Sequence, residues 1–174
     1  MDIDIEPLAQ MASARHLGIS VRPDGFGFVV IEDAIALDCG VRACDRDQSE
    51  DCLGQQFQRI VKMYHPSTVV LLTTGSPLAT AKRNSIVSVI TKKTNQGNVV
   101  LARLRGAAVR RYFRQFDAGT KYEIAQTVVK ILPELGWRLP QKRKPWQSEQ
   151  RRLSIFDAAA AVIAHARLKQ DFQI

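Results

Sequence analysis

From Cys52 to Phe116 the sequence contains no aspartate or glutamate, although the same stretch holds eleven lysines and arginines. Soluble surfaces ordinarily mix both signs of charge, so a carboxylate-free tract of this length points to a polyanionic partner. Acids gather in residues 1–51, where eleven face four bases, and residues 117–174 carry six acids and ten bases, which leaves the chain at +8 with a pI near 9.8.

Long apolar runs are missing as well. None approaches the ~18 residues of a membrane-spanning helix, and residues 1–10 carry acids where a secretion signal has a basic segment. The expectation is a cytoplasmic protein with no membrane partner. Cysteine is scarce: Cys39, Cys44 and Cys52 are odd in number and spaced neither as CxxC nor as any common zinc motif. That excludes a disulfide framework and a cysteine-based metal site, and leaves buried or half-buried thiols. No Gly-rich phosphate loop, HExxH or GxSxG occurs, so the familiar nucleotide-binding and hydrolase signatures are absent. The 174 residues, 45% of them hydrophobic, suffice for one domain with a substantial core.

The apolar pattern predicts the elements in order. HLGISV and FGFVVI, spanning 16–31 around Arg22-Pro23-Asp24-Gly25, read as a β-hairpin. Residues 34–43 offer a third strand, with Ile35, Leu37 and Cys39 expected on the buried face. Ser49 caps a helix in which Leu53, Phe57, Ile60, Val61 and Tyr64 recur at helical spacing before Pro66. TVVLLT, 68–73, reads as an interior strand buried on both faces. A β-branched helix is expected from about Pro77 into the 80s, then a fifth strand over 98–104. Thr120 and Glu123 form a capping box for a helix presenting Ile124, Val128, Ile131, Leu132 and Leu135, with Gly136 as its stop. An irregular basic loop, 137–152, precedes a last helix capped by Ser154, with Asp157 at N3. Three antiparallel strands followed by βαβ units imply an α/β fold: a mixed five-stranded sheet with helices on both faces.

The densest basic cluster is Arg103, Arg105, Arg110, Arg111 and Arg114, interleaved with Tyr112 and Phe113. Guanidinium forks suit phosphate and rings suit bases, so this cluster is a nucleic-acid-binding candidate; the alternative is a solvated basic face. Lys142, Arg143 and Lys144, bracketed by Trp137 and Trp146, form a second candidate. Those tryptophans either stack on single strands or junctions or pin the loop to the core.

Leu17-Gly18-Ile19-Ser20 followed by Gly25-Phe26-Gly27-Phe28-Val29-Val30, the helix over 119–132, and Phe156-Asp157-Ala158-Ala159-Ala160-Ala161 together resemble the RNase H-like superfamily, and within it the RuvC-type Holliday-junction resolvases. The resemblance runs from about residue 16 to 168, leaving residues 1–15 as an N-terminal extension to a 16–174 domain. It implies phosphodiester cleavage by two divalent cations held on clustered acids. In that family an Asp follows Leu-Gly-Ile, a Glu ends the fourth strand, and the last helix opens with a pattern like Asp-Ala-Ala-Asp. Here Ser20, Thr73 with Thr74, and Ala160 stand at three of those positions, and only Asp157 is retained. One carboxylate cannot hold two hard cations.

The reading that follows is a catalytically degenerate RuvC-like domain that binds nucleic acid, branched, duplex or single-stranded DNA, through its basic surface without a cofactor. One alternative is an active Mg- or Mn-dependent structure-specific endonuclease with a rearranged acid set, Asp24, Asp38 and Asp157. Another is a non-catalytic protein-interaction scaffold. The family resemblance also implies a homodimer. His16, His65 and His165 are expected to be surface or packing residues rather than general bases.

Overall fold

Pro23 and Asp24 turn β1 (His16–Arg22) back onto β2 (Gly25–Glu32), pairing Arg22 with Gly25 and His16 with Ile31. The computed structural model describes residues 14–44, 50–73, 81–142, 144 and 150–171. A two-residue turn at Asp33 and Ala34, both at positive φ (49° and 61°), leads into β3 (Ile35–Ala43). Left-handed dihedrals at both central residues match the right-handed twist of the flanking strands. α1 (Glu50–Tyr64) then crosses to β4 (Thr68–Thr73), α2 (Ala81–Gln96) to β5 (Val100–Arg105), and α3 (Gly106–Phe113), α4 (Lys121–Ile131) and α5 (Leu153–Asp171) follow.

The sheet order is β3-β2-β1-β4-β5. β1 pairs antiparallel with β2 and β2 with β3, whereas β1–β4 and β4–β5 are parallel. This is the mixed five-stranded sheet that the sequence predicts, and β4 is interior to it. Alternation along the strands makes two cores. Leu17, Ile19, Val21, Phe26, Phe28, Val69 and Leu71 face Leu53, Phe57 and Ile60 of α1 and Ile86 and Ile90 of α2. Val29, Ile31, Val70 and Leu104 face α3, α4 and α5.

α5 is buried nearly all round, and small residues let it approach the sheet closely. Ala158, Ala159, Ala160 and Ala161 are all 0% exposed. A Cβ on Gly18 would sit 2.5 Å from the carbonyl oxygen of Ala158, and one on Gly27 2.5 Å from the carbonyl carbon of Ser154. Both glycines therefore serve helix-on-sheet packing as well as the hairpin.

Several expectations need correction. Ile35 and Leu37 are 49% and 45% exposed, not buried. The register slips between Val30 (opposite Asp38) and Ile31 (opposite Ala36), so Leu37 is an extra bulge residue and the inward face becomes Ala36, Cys39 and Val41. α4 ends at Ile131 before Pro133, which lacks the N–H to continue it; Gly136 lies inside a 3-10 segment, Pro133–Arg138. Ser154 does not cap α5. It lies within the first turn, 1% exposed, and its hydroxyl donates back to the Arg151 carbonyl at 2.6 Å. Asp157 is consequently the fifth helical residue rather than N3. α3 is a helix the sequence reading missed. Its signal, buried Val109 and Phe113 at i and i+4 after two alanines, is short and comes with no side-chain cap at Arg105. The expected cap Ser49 and helix start near Pro77 lie outside the described residues, as do residues 1–13 of the expected extension.

Candidate nucleic-acid interface

Strand register decides which of the sequence-predicted positions meet. Gly18 and Ser20 of β1 point toward α5, and Ser20 stands opposite Leu72 of β4. Leu72 belongs to the α5-side core, whereas Leu71 belongs to the other. Thr73, one residue on, therefore turns away, and its hydroxyl donates to the Leu104 carbonyl at 3.2 Å. A cleft of about 240 Å³ opens where these strand ends meet the starts of α3, α4 and α5. Ser20, Leu72 and Asp157 line it; Thr73 does not. Of the positions that the resemblance singles out, Ser20 and Asp157 thus share the cleft and Thr73 does not, because pleating sends neighbouring side chains to opposite faces. Ala160 is fully buried in the core, and Thr74 lies outside the described residues.

Cations share the cleft with Asp157. Arg22, Arg83, Arg110 and Lys121 line the same cleft, and Lys121 Nζ lies 3.6 Å from Asp157 Oδ2. Lys121 is placed by the capping box, in which Thr120 Oγ1 accepts from the Glu123 amide at 3.2 Å and Glu123 Oε2 accepts from the Thr120 amide at 2.8 Å. Those bonds from Thr120, joined by one from the Gly119 amide, hold the Glu123 carboxyl below its ordinary 4.5. The sequence reading missed Arg83 and Lys121 as site residues. Arg83 lies in the carboxylate-free tract but outside its densest part, and Lys121 reads only as the first residue of a helix.

The rearranged acid set does not assemble. Asp24 pairs with Arg22 at 3.3 Å and with Arg151 at 2.9 Å. Asp38 accepts from the Tyr64 hydroxyl at 2.8 Å, in a separate cavity beside α1 lined by Arg42 and Arg59. Burial and that hydrogen bond push the Tyr64 hydroxyl above its usual 10.0. Among the described residues, no group of three or more His, Cys, Asp or Glu is placed to hold a metal ion. The residues at the cleft do not fit a pair of hard divalent cations, which require several anionic oxygens.

The other candidates have definite places. Arg103 and Arg105 are exposed on edge strand β5, Arg103 donating to Thr91 Oγ1 at 3.0 Å. Arg110 reaches the cleft, and Arg111 and Arg114 are exposed at the end of α3 and in the short turn after it. Phe113 is 0% exposed, and Tyr112 stands edge-on to Phe113 and Phe116 at 5.2 and 5.6 Å. Phe113 is thus unable to stack on bases, because it is core. Lys142 lines a cavity of about 280 Å³ that also includes Lys121, so the basic lining continues from the cleft onto the loop. Lys144 is exposed, while Arg143 and Trp146 lie outside the described residues. Trp137 is 71% exposed, with the Arg138 guanidinium 3.9 Å from its ring centroid, so it does not pin the loop to the core. His16 is buried, its Nδ1 2.9 Å from the Ala14 carbonyl, and His65 is exposed at positive φ. Burial raises the Cys39 thiol above its usual 9.0.

An antiparallel meander continued by parallel βαβ units, with helices on both faces, defines a RuvC-like fold of the RNase H type. Thermus thermophilus RuvC in complex with a Holliday junction substrate is similar at 15% identity over 92% of this chain and 97% of that one, with a TM-score of 0.68. Thermus thermophilus RuvC in a second structure matches at 15% identity over 90% and 96%, TM-score 0.66. The yeast mitochondrial Holliday junction resolvase matches at 14% identity over 95% of this chain and 84% of that one, TM-score 0.67. No family model matches the sequence, and no curated protein matches it. No helix among the described residues is long and apolar enough to cross a membrane.

Proposed function

We propose that residues 16–174 form a catalytically degenerate RuvC-like domain that binds DNA, branched, duplex or single-stranded, through a basic surface. The observation that carries this reading is the cleft itself: among the described residues, Asp157 is its one carboxylate and four bases line it. An active two-metal nuclease needs the opposite balance, since two Mg²⁺ ions require clustered anionic ligands. The basic lining of the cleft and the exposed arginines of β5 and α3 supply phosphate contacts without a base-reading motif, so affinity should depend on salt more than on sequence.

Two copies are proposed to associate, as the fold resemblance implies. Exposed Ile35, Leu37, Met63 and Trp137 support this, because they lie on β3 and on elements beside it and give a second copy apolar surface to cover. The compartment proposed is the cytoplasm, in keeping with three cysteines whose number and spacing suit no disulfide framework.

Titrating labelled junction, duplex and single-stranded DNA at two salt concentrations tests the proposal. Binding to at least one of them that weakens steeply with salt is expected. Absence of binding at low salt overturns it in favour of a protein-interaction scaffold.

A further inference from the structure

Resting on the nucleic-acid reading, the cleft can be assigned a more specific task. Among the described residues, Arg22, Arg83, Arg110 and Lys121 share a lining with Asp157 as its one acid. Arg22 is engaged by Asp24 at 3.3 Å, and Asp24 is itself drawn to Arg151. Asp157 carries a single negative charge against several positive ones, and its Oδ2 lies 3.6 Å from Lys121 Nζ. Like charges converging on a concave surface with apolar walls, here Leu72, Val109 and Ile124, focus a positive potential and favour an anion over a hydrated cation. At about 240 Å³ the cleft has room for a backbone phosphate. Guanidinium forks and a point-charge ammonium are the donors that such a group takes.

We infer that this cleft is a metal-free phosphate site: Arg83, Arg110 and Lys121 grip one backbone phosphate of the bound strand, with the Lys121 ammonium beside Asp157 supplying the positive charge that a carboxylate-held cation would supply in a nuclease. Asp157 then acts as a competitor. It holds Lys121 until a phosphate displaces it, so its removal strengthens binding, whereas removal of a metal-binding acid would weaken it.

The test uses the full chain with a short labelled single-stranded DNA, in EDTA and in Mg²⁺, for the parent and for Lys121→Gln, Lys121→Arg, Arg83→Gln and Asp157→Asn, with thermal midpoints recorded to verify folding. The parent should bind without a requirement for Mg²⁺. Lys121→Gln and Arg83→Gln should each weaken binding about five- to tenfold and lower the salt slope by about one, as expected for one lost phosphate contact. Lys121→Arg should bind like the parent, and Asp157→Asn should bind about threefold or more tightly, because a screened attraction of this size is released. If Lys121→Gln and Arg83→Gln bind like the parent while replacing Arg105, Arg111 and Arg114 weakens binding, the cleft inference falls and the nucleic-acid reading stands. If the parent binds no DNA, the functional reading falls, and inorganic phosphate decides the site. Phosphate-dependent shifts of the Gly106 and Lys121 amide resonances that vanish in Lys121→Gln support it; unshifted resonances overturn it.

Discussion

The ammonium of Lys121, on the first turn of α4, lies 3.6 Å from the carboxylate of Asp157, on the second turn of α5. The ammonium is half-exposed and the carboxylate 18% exposed, so solvent screening keeps this pair to about 0–1 kcal/mol of stability. Its consequence is chemical: the carboxylate that lines the cleft is engaged by a cation of the protein.

Incubation with Holliday junctions in Mg²⁺ and in Mn²⁺ should therefore give no cleavage. Product analysis on a denaturing gel checks this. Cleavage that disappears in Asp157→Asn would restore the active-nuclease alternative.

Replacing the outer arginines Arg105, Arg111 and Arg114 by alanine should leave the fold intact, since all three are exposed. DNA affinity should drop and the salt slope should flatten by about one unit per lost phosphate contact. Affinity equal to the parent's would make these residues a solvated face.

Gly18→Ala and Gly27→Ala should each destabilise the domain by about 1–3 kcal/mol, because the added methyl meets α5 backbone at 2.5 Å and the helix must shift. Urea unfolding measures the loss. An unchanged midpoint for both would mean that α5 sits farther from the sheet.

Ala34→Gly should stabilise. Alanine at φ 61° carries left-handed strain that glycine does not, and this outweighs the freedom glycine gains in the unfolded chain, for a net gain of roughly 0.5–1 kcal/mol. A thermal midpoint that falls instead would show that the alanine methyl's packing dominates.

Thr120→Ala should cost about 1 kcal/mol through loss of the cap. Glu123 adds a pH dependence whose sign follows from its lowered pKa. Folding favours the ionised form, so its contribution is present above the ordinary 4.5 and disappears as pH falls through the lower folded value. The stability difference between the parent and Glu123→Ala should be constant near neutrality and shrink below about pH 4.5. A difference that stays level down to pH 2.5 would remove the carboxylate from the cap.

Local chemistry made most of the elements legible. Pro23-Asp24-Gly25 marks the first hairpin, Thr120 and Glu123 mark the start of α4, and the β-branched run 68–73 marks an interior strand, because turn geometry, capping and burial act within a few residues. α3 was not legible: its two buried apolar residues gain their stability from α5 and the sheet rather than from propensity. Nor was the bulge at Leu37, since a strand's own alternation carries no record of where its partner slips register.

The candidate site divides the same way. The sequence alone determined that positive charge dominates residues 52–116, and its resemblance to the resolvases singled out Asp157, Ser20 and Ala160, because composition and motif order are properties of the chain. Only the tertiary structure decided that Leu72 rather than Thr73 faces the cleft, that Phe113 is core, and that Arg83 and Lys121, 38 positions apart in the chain, line one cleft with Asp157. Strand pleating, register and the seating of α5 on Gly18 and Gly27 fix those placements, and each depends on contacts between residues distant in sequence.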